Sequence, residues 1–255
     1  IMKSLLRILK PLGIDESQIP KVCISGLSVN SKSVNRGDLF VAIRGTNENG
    51  QFYIADAINS GAAAIITSKS YNGNAGVPIF KVENVRKALS TIASEFYGHP
   101  SRSMTVVGIT GTNGKTTTAF LVKSILENAN LKVALIGTLG LIAKDFKYQK
   151  TLTTPDPISL NKILHDLNAV GFSHIVMEVS SHGLSQRRSA ALAFDGMIFT
   201  NLTHDHLDYH KSMEAYRDAK KLAFDGLHSS AFALVNIDDK NGTYMVQNSK
   251  ASIYS

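Results

Sequence analysis

Short apolar runs alternate with amphipathic helical segments along almost the whole chain, and this alternation restricts the fold more than any other feature. Strands separated by helices pair in parallel, because each helix carries the chain back across a face of the sheet. The sequence therefore predicts an α/β fold with largely parallel sheets. Strands are predicted at 39–43, 63–67, 79–82, 105–109, 133–136, 175–179, 197–199 and 233–235, and helices at 52–60, 85–97 and 115–128, around 160–167 and around 213–220. A helix with Leu5, Leu6, Ile8 and Leu9 facing inward is predicted at the start.

A turn-rich break, Gly98-His99-Pro100-Ser101, separates two such alternations. Because glycine and proline interrupt regular structure, we predict a domain boundary there, with one domain at 1–99 and a second at 100–255. The chain begins with isoleucine and ends at Ser255 soon after a predicted strand. We therefore expect the second domain to be incomplete and the natural product to be longer.

Composition argues against several classes of protein. No run reaches the roughly 18 apolar residues of a membrane span, and the N-terminal apolar stretch is too short for a secretory signal. The single cysteine, Cys23, cannot form an internal disulfide, so we expect it to be buried in a protein of the reducing cytoplasm. The net charge of +7 comes from scattered Lys and Arg without aromatic stacking motifs. We expect no nucleic-acid or membrane partner, and a monomer, although nothing in the sequence reports the oligomeric state.

The segment Gly108–Thr116 reads GITGTNGKT and lies between a predicted strand and a predicted helix. Such a turn lets backbone N–H groups face phosphate oxygens, and the helix N-terminus adds positive potential. Lys115 would reach the β- and γ-phosphates, and the Thr116 hydroxyl would ligate Mg²⁺. Ile109 stands where the general pattern has its first glycine, yet the Gly-Lys-Thr end and the strand–loop–helix context are kept. The segment predicts a nucleotide site made by Gly111, Thr112, Asn113, Gly114, Lys115, Thr116 and Thr117.

Two further segments place polar side chains after predicted strands. Glu178 ends an apolar run, at the edge where open parallel sheets bind ligands, and could hold a nucleotide-bound Mg²⁺. The alternative is a strand-end glutamate exposed to water. The segment TNLTHDHLDYH at 200–210 approaches the spacing of zinc hydrolases, but Tyr209 separates Asp208 from His210. Such a hydrolase would not need a phosphate loop, so the sequence disfavours zinc.

Together these motifs resemble the Mur ligase family. TGTNGKTT, LTTP at 152–155, EVSSHGL at 178–184, Gln186-x-Arg188 and TNLTHDHLDYH occur in the family's order, and the helix MEAYRDAKK follows where the family carries a special lysine. The sequences EVSSHGL and DHLDYH are most similar to the corresponding motifs of members that add the third amino acid of the stem peptide. The segment NSKSVNRGDLFVA at 30–42 resembles their UDP-binding domain. The resemblance covers essentially the whole chain.

The resemblance implies an N-terminal α/β UDP-binding domain followed by a phosphate-loop, mostly parallel ATP-binding domain that is incomplete at its C-terminus. It also implies a bacterial cytoplasmic ligase of peptidoglycan precursor synthesis. Such an enzyme uses ATP and Mg²⁺ to add meso-diaminopimelate or L-lysine to UDP-MurNAc-L-Ala-D-Glu through an acyl phosphate. The Asp-Asn-Pro-Arg motif that contacts the incoming amino acid in the family does not occur in this sequence, so the choice between the two amino acids is not predicted.

Individual roles follow from the same resemblance. Lys115, Glu178, His206 and Lys220 would be catalytic, and the metal ligands would come from Thr116, Glu178, His206 and Lys220. Lys220 aligns with a lysine that the family carries as a carbamate, although the adjacent Lys221 leaves a one-residue ambiguity. Muramyl-substrate contacts are implied at Ser31, Thr46, Asn47, Thr153, Thr154, Ser180, Gln186 and Arg188, and further nucleotide contacts at Asn236 and Asp239.

Two other functions remain open at this stage. A ligase similar to folylpolyglutamate synthases would share the phosphate loop but would need no UDP-binding domain. A non-catalytic protein could bind UDP-muramyl peptide or nucleotide without turnover. A phosphate-loop kinase would leave the muramyl-type motifs unexplained.

Overall fold

A computed structural model describes residues 1–45, 48–74, 76–146 and 152–255. The chain divides into two compact units, Ile1–Gly98 and His99–Ser255. Each unit contains helices and a sheet whose strands are largely parallel, so the predicted α/β class is confirmed. Within the described ranges, no helix is both long and apolar enough to cross a membrane.

The first unit is built on a parallel sheet of four strands in the described residues. Its elements in chain order are β1 (Lys3–Ser4), α1 (Leu5–Leu9), β2 (Cys23–Ile24), β3 (Leu27–Ser28), β4 (Leu39–Val41), α2 (Ile54–Asn59), β5 (Ala64–Ser68), β6 (Ile79–Val82) and α3 (Val85–Phe96). The sheet order is β3-β4-β5-β6, while β1 and β2 form a separate antiparallel pair. Short 3₁₀ turns lie at Lys10–Leu12, Glu16–Gln18, Ser31–Ser33 and Gly50–Tyr53.

The core of this unit forms where the sheet meets α2. Phe40 and Ile65 of neighbouring strands pack with Ile54 and Ala57 of the helix, and all four are buried. Burial of such apolar surface is the main favourable contribution to folding.

The N-terminal elements follow the apolar pattern with two differences. Leu5, Ile8 and Leu9 of α1 are fully buried as predicted, but Leu6 is only half-buried. The prediction that Cys23 is buried is wrong, because its side chain is exposed. Successive residues of a strand point to opposite faces, and Ile24 takes the inward position in β2. A two-residue strand gives too little alternation for the sequence to show which residue points inward.

The second unit contains a sheet of seven strands within the described residues. Its elements are β7 (Thr105–Thr110), α4 (Lys115–Asn128), β8 (Val133–Gly137), β9 (Gly140–Ile142), α5 (Pro157–Ala169), β10 (His174–Glu178), α6 (Ser181–Ser185), β11 (Gly196–Phe199), α7 (Leu207–His210), α8 (Met213–Asp225), β12 (Phe232–Val235), α9 (Gly242–Val246) and β13 (Ser252–Tyr254). The unit begins with a 3₁₀ turn at Pro100–Ser103.

The strand order in this sheet decides where its loops meet. The order is β13-β12-β11-β7-β10-β8-β9, and all neighbours are parallel except β9, which forms an antiparallel hairpin with β8. The carboxyl ends of the parallel strands therefore lie along one edge. Because β7 pairs with both β10 and β11, the loop after β7 lies next to the loops after those two strands.

The two faces of this sheet are covered differently. On one face α5, α8 and α9 bury a large apolar cluster that includes Leu160, Phe224 and Met245. On the other face α4 buries only Ala119 fully, with Val122 and Leu126 partly buried. Ala129 is exposed and follows the last helical residue.

Helix α5 begins with a strong N-terminal cap. Asp156 Oδ1 accepts hydrogen bonds from the backbone N–H groups of Ile158 at 3.0 Å and Ser159 at 3.1 Å, and Pro157 occupies the first helical position. These bonds satisfy helix N–H groups that have no partner within the helix, and a carboxylate there interacts favourably with the helix dipole.

We expect Asp156→Ala to lower the free energy of unfolding of the second unit by about 1 kcal/mol, because the cap is lost. Asp156→Asn keeps a side-chain oxygen and should lose less. Chemical denaturation of both variants, with near-ultraviolet circular dichroism as the signal, measures the difference. Equal stability of the alanine variant and the unmodified chain would contradict this role.

Candidate functional site

The predicted phosphate loop lies between β7 and α4, at the carboxyl edge of the sheet. Gly111 has a φ of 153°, and a Cβ atom there would lie 1.9 Å from the Thr200 hydroxyl oxygen. Gly114 has a φ of 82° and immediately precedes the helix. Both positions therefore require glycine, one for a close approach and the other for a left-handed backbone.

The loop is held in place by the segment that follows β11. The backbone N–H of Thr112 donates to Asn201 O at 2.8 Å, and that of Asn113 donates to the Asn201 side-chain oxygen at 3.0 Å. The Thr200 hydroxyl donates to Asn113 O at 2.7 Å, and the backbone N–H of Thr203 donates to the Thr112 hydroxyl at 3.0 Å. These bonds give the loop a fixed shape.

These hydrogen bonds limit which backbone N–H groups of the loop can bind a phosphate. The N–H groups of Thr112 and Asn113 are already satisfied by Asn201. Those of Gly114 to Thr117 donate to no acceptor within the described ranges. They are the first N–H groups of a 14-residue helix, where an anion is favoured by both hydrogen bonding and the helix dipole.

Two lysines converge on one carbonyl oxygen of the loop. Lys115 Nζ donates to Gly111 O at 3.0 Å and to Thr112 O at 2.8 Å, while Lys220 Nζ donates to Gly111 O at 2.8 Å. Burial lowers the pKa of Lys115, against the opposing charges of Glu178 and Asp205. Burial, with the charge of Lys115, lowers the pKa of Lys220 to about 7.

The structure distinguishes Lys220 from its neighbour. Lys220 is only 1% exposed and lies 4.5 Å from the centroid of the Tyr216 ring. Lys221 instead makes an ion pair with Asp225 on the same helix. Of the two lysines, only Lys220 contacts the phosphate loop.

Glu178 at the end of β10 is fully buried, so its reading as a water-exposed glutamate is wrong. Its Oε1 accepts from the Thr116 hydroxyl at 3.0 Å and from the backbone N–H of Thr138 at 3.1 Å, and its Oε2 accepts from the Thr138 hydroxyl at 3.0 Å. In the described part of the chain no Lys or Arg pairs with it. A buried carboxylate normally has a cation as its partner.

Thr116 and Glu178 fit a magnesium ion. Mg²⁺ prefers oxygen ligands in octahedral geometry at about 2.1 Å, which places adjacent ligands about 3.0 Å apart. The Thr116 hydroxyl and the Glu178 carboxylate are separated by 3.0 Å. One hydroxyl and one carboxylate are also the few protein ligands that Mg²⁺ takes when nucleotide phosphates and waters complete its shell.

His206, the other predicted metal ligand, lies in a cluster of rings. Its ring centroid is 4.9 Å from that of His182 and 5.9 Å from that of Tyr216. Behind it the buried His210 shares a hydrogen bond of 3.0 Å with Ser181, and burial, together with the charge of His182, lowers the pKa of His210 to about 4. Among residues 1–45, 48–74, 76–146 and 152–255, no three His, Cys, Asp or Glu side chains form a metal-binding group.

Four of the eight predicted muramyl contacts form one connected cluster. Arg188 donates to Thr154 O at 2.8 Å and to Gln186 Oε1 at 2.8 and 3.2 Å. The Thr154 hydroxyl accepts from the backbone N–H of Ser180 at 2.9 Å. Gln186 in turn donates to the Tyr209 hydroxyl at 3.3 Å. The cluster is polar and lies beside the carboxyl end of β10.

The side chains of Asn236 and Asp239 form hydrogen bonds with backbone groups of nearby loops. Asn236 Nδ2 donates to Thr200 O at 2.9 Å. Asp239 accepts from the backbone N–H of Leu202 at 2.6 Å and from that of Asn241 at 2.8 Å. Burial tends to raise the pKa of Asp239, but these backbone hydrogen bonds outweigh it and lower the pKa. Both residues therefore support the segment that anchors the phosphate loop.

Sequence reasoning missed three contributors. Thr138 is the first residue after β8 and could have been found by the argument applied to Glu178, because it is a polar residue two positions beyond the predicted strand 133–136. Its hydroxyl also lies 3.3 Å from that of the predicted contact Thr153. Tyr216, whose hydroxyl lies 3.1 Å from that of Thr112, and His182 gave no signal, because aromatic residues on helices are usually core.

In the first unit, Ser31 lines a cavity of about 390 Å³. Lys32, Phe40, Glu48 and Tyr53 line the same cavity, so its described lining offers one cation, one carboxylate and two aromatic rings. The predicted contacts Thr46 and Asn47 lie outside the described residues.

With this geometry in place, comparison with known proteins gives consistent matches. The chain is 45% identical over 236 residues to the UDP-N-acetylmuramoyl-L-alanyl-D-glutamate–2,6-diaminopimelate ligase of Cytophaga hutchinsonii, covering 92% of this chain and 49% of that protein. A solved ligase of the same name superposes with a TM-score of 0.82 at 27% identity, covering 99% of this chain and 52% of the other. The MurF ligase of Thermotoga maritima, solved with ADP, gives a TM-score of 0.58 at 26% identity over 89% of this chain and 49% of the other. The chain thus spans about half the length of the curated relatives it matches.

Two family descriptions match the sequence itself. Residues 23–97 match the Mur ligase family, catalytic domain, and residues 109–255 match the Mur ligase middle domain. Since the second match alone covers more than half of the 255 residues, the chain belongs to the Mur ligase family.

Proposed function

We propose that this chain carries the nucleotide site and the UDP-muramyl-peptide site of a cytoplasmic ATP-dependent ligase. That ligase adds the third amino acid, meso-diaminopimelate or L-lysine, to UDP-MurNAc-L-Ala-D-Glu. The proposal rests on the relatives named as 2,6-diaminopimelate ligases and on the arrangement at the end of β7 and β10. The observation that carries it is the buried Glu178 carboxylate, which accepts a hydrogen bond from the Thr116 hydroxyl of the phosphate loop and makes no direct ion pair with a Lys or Arg of the described residues.

The first chemical step transfers the γ-phosphoryl group of ATP to the terminal carboxylate of the dipeptide, which gives an acyl phosphate and ADP. The two reactants are both anions, so catalysis of this step consists mainly of positioning and charge compensation. Lys115 is placed to neutralise the γ-phosphate, because its ammonium already lies at the loop. The N–H groups at the start of α4 would hold the other phosphate oxygens.

In the second step the amine of the incoming amino acid attacks the acyl carbon, and phosphate leaves as the amide forms. Bound Mg²⁺ would supply positive charge that offsets the charge of the phosphate groups. Thr116 and Glu178 would hold that ion. His206 is proposed as a ligand of a second metal, together with carbamylated Lys220. Carbamylation changes Lys220 from a cation that repels Lys115 into an anion that attracts it.

The peptide end of the substrate is assigned to the polar cluster around Arg188. The guanidinium is planar and can hold a carboxylate with two parallel hydrogen bonds. Hydrogen bonds to Gln186 and Thr154 already restrain the guanidinium, so less conformational entropy is lost on binding. Ser180 and Thr153 would complete the contacts, and the cavity at Ser31 would receive the uridine diphosphate.

The rival folate ligase is disfavoured by the first unit. Residues 23–97 match a Mur ligase family domain, which a folate ligase would not require. Binding of UDP-MurNAc-L-Ala-D-Glu in competition with a folate would separate the two substrates.

The proposal is tested by measuring release of ADP from ATP and Mg²⁺ with UDP-MurNAc-L-Ala-D-Glu, varying diaminopimelate and lysine. Turnover that depends on the dipeptide and on one amino acid would establish the ligase and name that amino acid. Binding of both ATP and the muramyl dipeptide without turnover would support the non-catalytic reading of this chain. Absence of muramyl binding would refute the substrate assignment.

We expect Arg188→Lys to weaken binding of UDP-MurNAc-L-Ala-D-Glu about tenfold, because a charge-assisted hydrogen bond contributes roughly 1.5–3 kcal/mol. Affinity for ADP should not change. The adjacent Arg187→Lys serves as the matched control and should behave like the unmodified chain. Isothermal titration calorimetry measures both ligands, and equal muramyl affinity for the two variants would contradict the assignment of Arg188.

We expect Lys220 to form a carbamate with dissolved CO₂. The pKa of about 7 leaves an uncharged, nucleophilic amine above neutral pH, and protonation below that pKa removes it. Carbon-13 NMR with labelled bicarbonate should show a carbamate signal at pH 8 that fades as the pH falls below 7. The signal should vanish in Lys220→Ala and persist in Lys221→Ala. Its loss in Lys221→Ala alone would transfer the modification to the other lysine.

A further inference from the structure

Thr138 makes two hydrogen bonds to the Glu178 carboxylate. It is the first residue after β8, the strand next to β10 in the sheet. Its backbone N–H donates to Glu178 Oε1 at 3.1 Å and its hydroxyl donates to Glu178 Oε2 at 3.0 Å. One residue therefore binds both oxygens of the carboxylate, which prevents rotation of that group about its terminal bond.

The preceding residue allows this approach. A Cβ atom at Gly137 would lie 2.2 Å from Glu178 Oε1 and 2.8 Å from the carboxyl carbon. A side chain there would push the carboxylate away from the strand end. The Gly137-Thr138 pair thus forms a seat that fits one carboxylate orientation, with Oε1 left beside the Thr116 hydroxyl.

This seat matters because Glu178 is fully buried. A buried carboxylate must receive hydrogen bonds, since an unsatisfied one would carry the whole cost of leaving water. Thr116 supplies one donor and Thr138 supplies two. Loss of the Thr138 hydroxyl would leave Oε2 without a donor in the described residues and free the carboxylate to turn.

The Thr138 hydroxyl also reaches a second partner. It has one proton, and when that proton is given to Glu178 the oxygen can still accept. The Thr153 hydroxyl lies 3.3 Å away and can be the donor. Thr153 belongs to the LTTP segment, which is assigned to the muramyl substrate, so a chain of hydroxyl groups joins that segment to Glu178.

We propose that Thr138 is a positioning residue for the divalent metal: it sets the orientation in which Glu178 presents its carboxylate to the ion. This inference rests on the proposed function, because it takes Thr116 and Glu178 as metal ligands. Thr138 itself does not contact the metal. Groups that orient a ligand in this way typically change metal affinity by roughly 10–100-fold when removed.

The test compares Thr138→Val with Thr138→Ser. Valine has nearly the shape of threonine but no hydroxyl, whereas serine keeps the hydroxyl and loses the methyl group. Mn²⁺ serves as the probe, and electron paramagnetic resonance measures its affinity for the complex of the full chain with ADP. Metal-free ADP affinity and the thermal unfolding midpoint are measured alongside.

We expect the valine variant to lose roughly tenfold or more in Mn²⁺ affinity, with metal-free ADP affinity unchanged. Its unfolding midpoint should fall, because the buried Glu178 Oε2 loses its donor. The serine variant should stay close to the unmodified chain. If valine disturbs folding, Thr138→Ala removes the same hydroxyl without new bulk and should show the same loss.

Three results would count against the idea. Equal Mn²⁺ affinity in the valine or alanine variant and the unmodified chain would overturn the positioning role. A serine variant as weak as valine would show that the methyl group, not the hydroxyl, is needed. Failure of the unmodified chain to bind Mn²⁺ with ADP would reject the proposed nucleotide site itself.

Discussion

Parallel pairing of β7 with a strand on each side is the constraint on which the second unit depends. Five hydrogen-bonded residue pairs fix β10 against β7, and four fix β11 against it. Because all three strands run in one direction, the phosphate loop, Glu178 and the segment after β11 emerge at one edge. Helices and loops can vary around this arrangement, but a shift of register by one residue would turn Glu178 to the opposite face of the sheet.

The charged side chains at this edge of the sheet do not form direct ion pairs with one another. Lys115 and Lys220 share the Gly111 carbonyl, and both are partly or fully withdrawn from water. The buried Glu178 is bonded to hydroxyls and an amide, with no ammonium or guanidinium among its described partners. Positive and negative groups thus lie near each other but are not joined in direct pairs. Such a site is suited to ligands that bring both signs, as a nucleotide with its divalent ion does.

Much of the architecture could be predicted from the sequence. Strand 79–82 and helix 115–128 have the predicted bounds, and other long elements differ by one or a few residues, because their apolar periods extend over several turns or residues. Shorter elements such as β9, α6 and α9 were not predicted, since two to five residues carry too little periodicity. Their positions depend on contacts with distant parts of the chain.

Some residues of the candidate site could also be predicted from the sequence, and others could not. Residue types at fixed spacing indicated the phosphate loop, and the position of Glu178 at the end of an apolar strand indicated that residue. The resemblance to the Mur ligase family indicated the cluster around Arg188. The sequence could not indicate that the side chains of Asn236 and Asp239 would hydrogen-bond to the backbone. Nor could it indicate that Thr138 would donate a hydrogen bond to Glu178. It also could not indicate that Lys220 rather than Lys221 would face the loop. Each of these facts depends on which strands are neighbours and which side of a helix faces them.

The anchoring of the phosphate loop by Asn201 and Thr203 has a thermodynamic consequence. A loop that must become ordered around its ligand loses roughly 1–2 kcal/mol of backbone entropy for every residue that is fixed. Here the amides of Thr112 and Asn113 are already bonded within the protein, so this loss occurs during folding and not during binding. The loop is preorganised, and the energy of its contacts with phosphate is available for affinity rather than for ordering the chain.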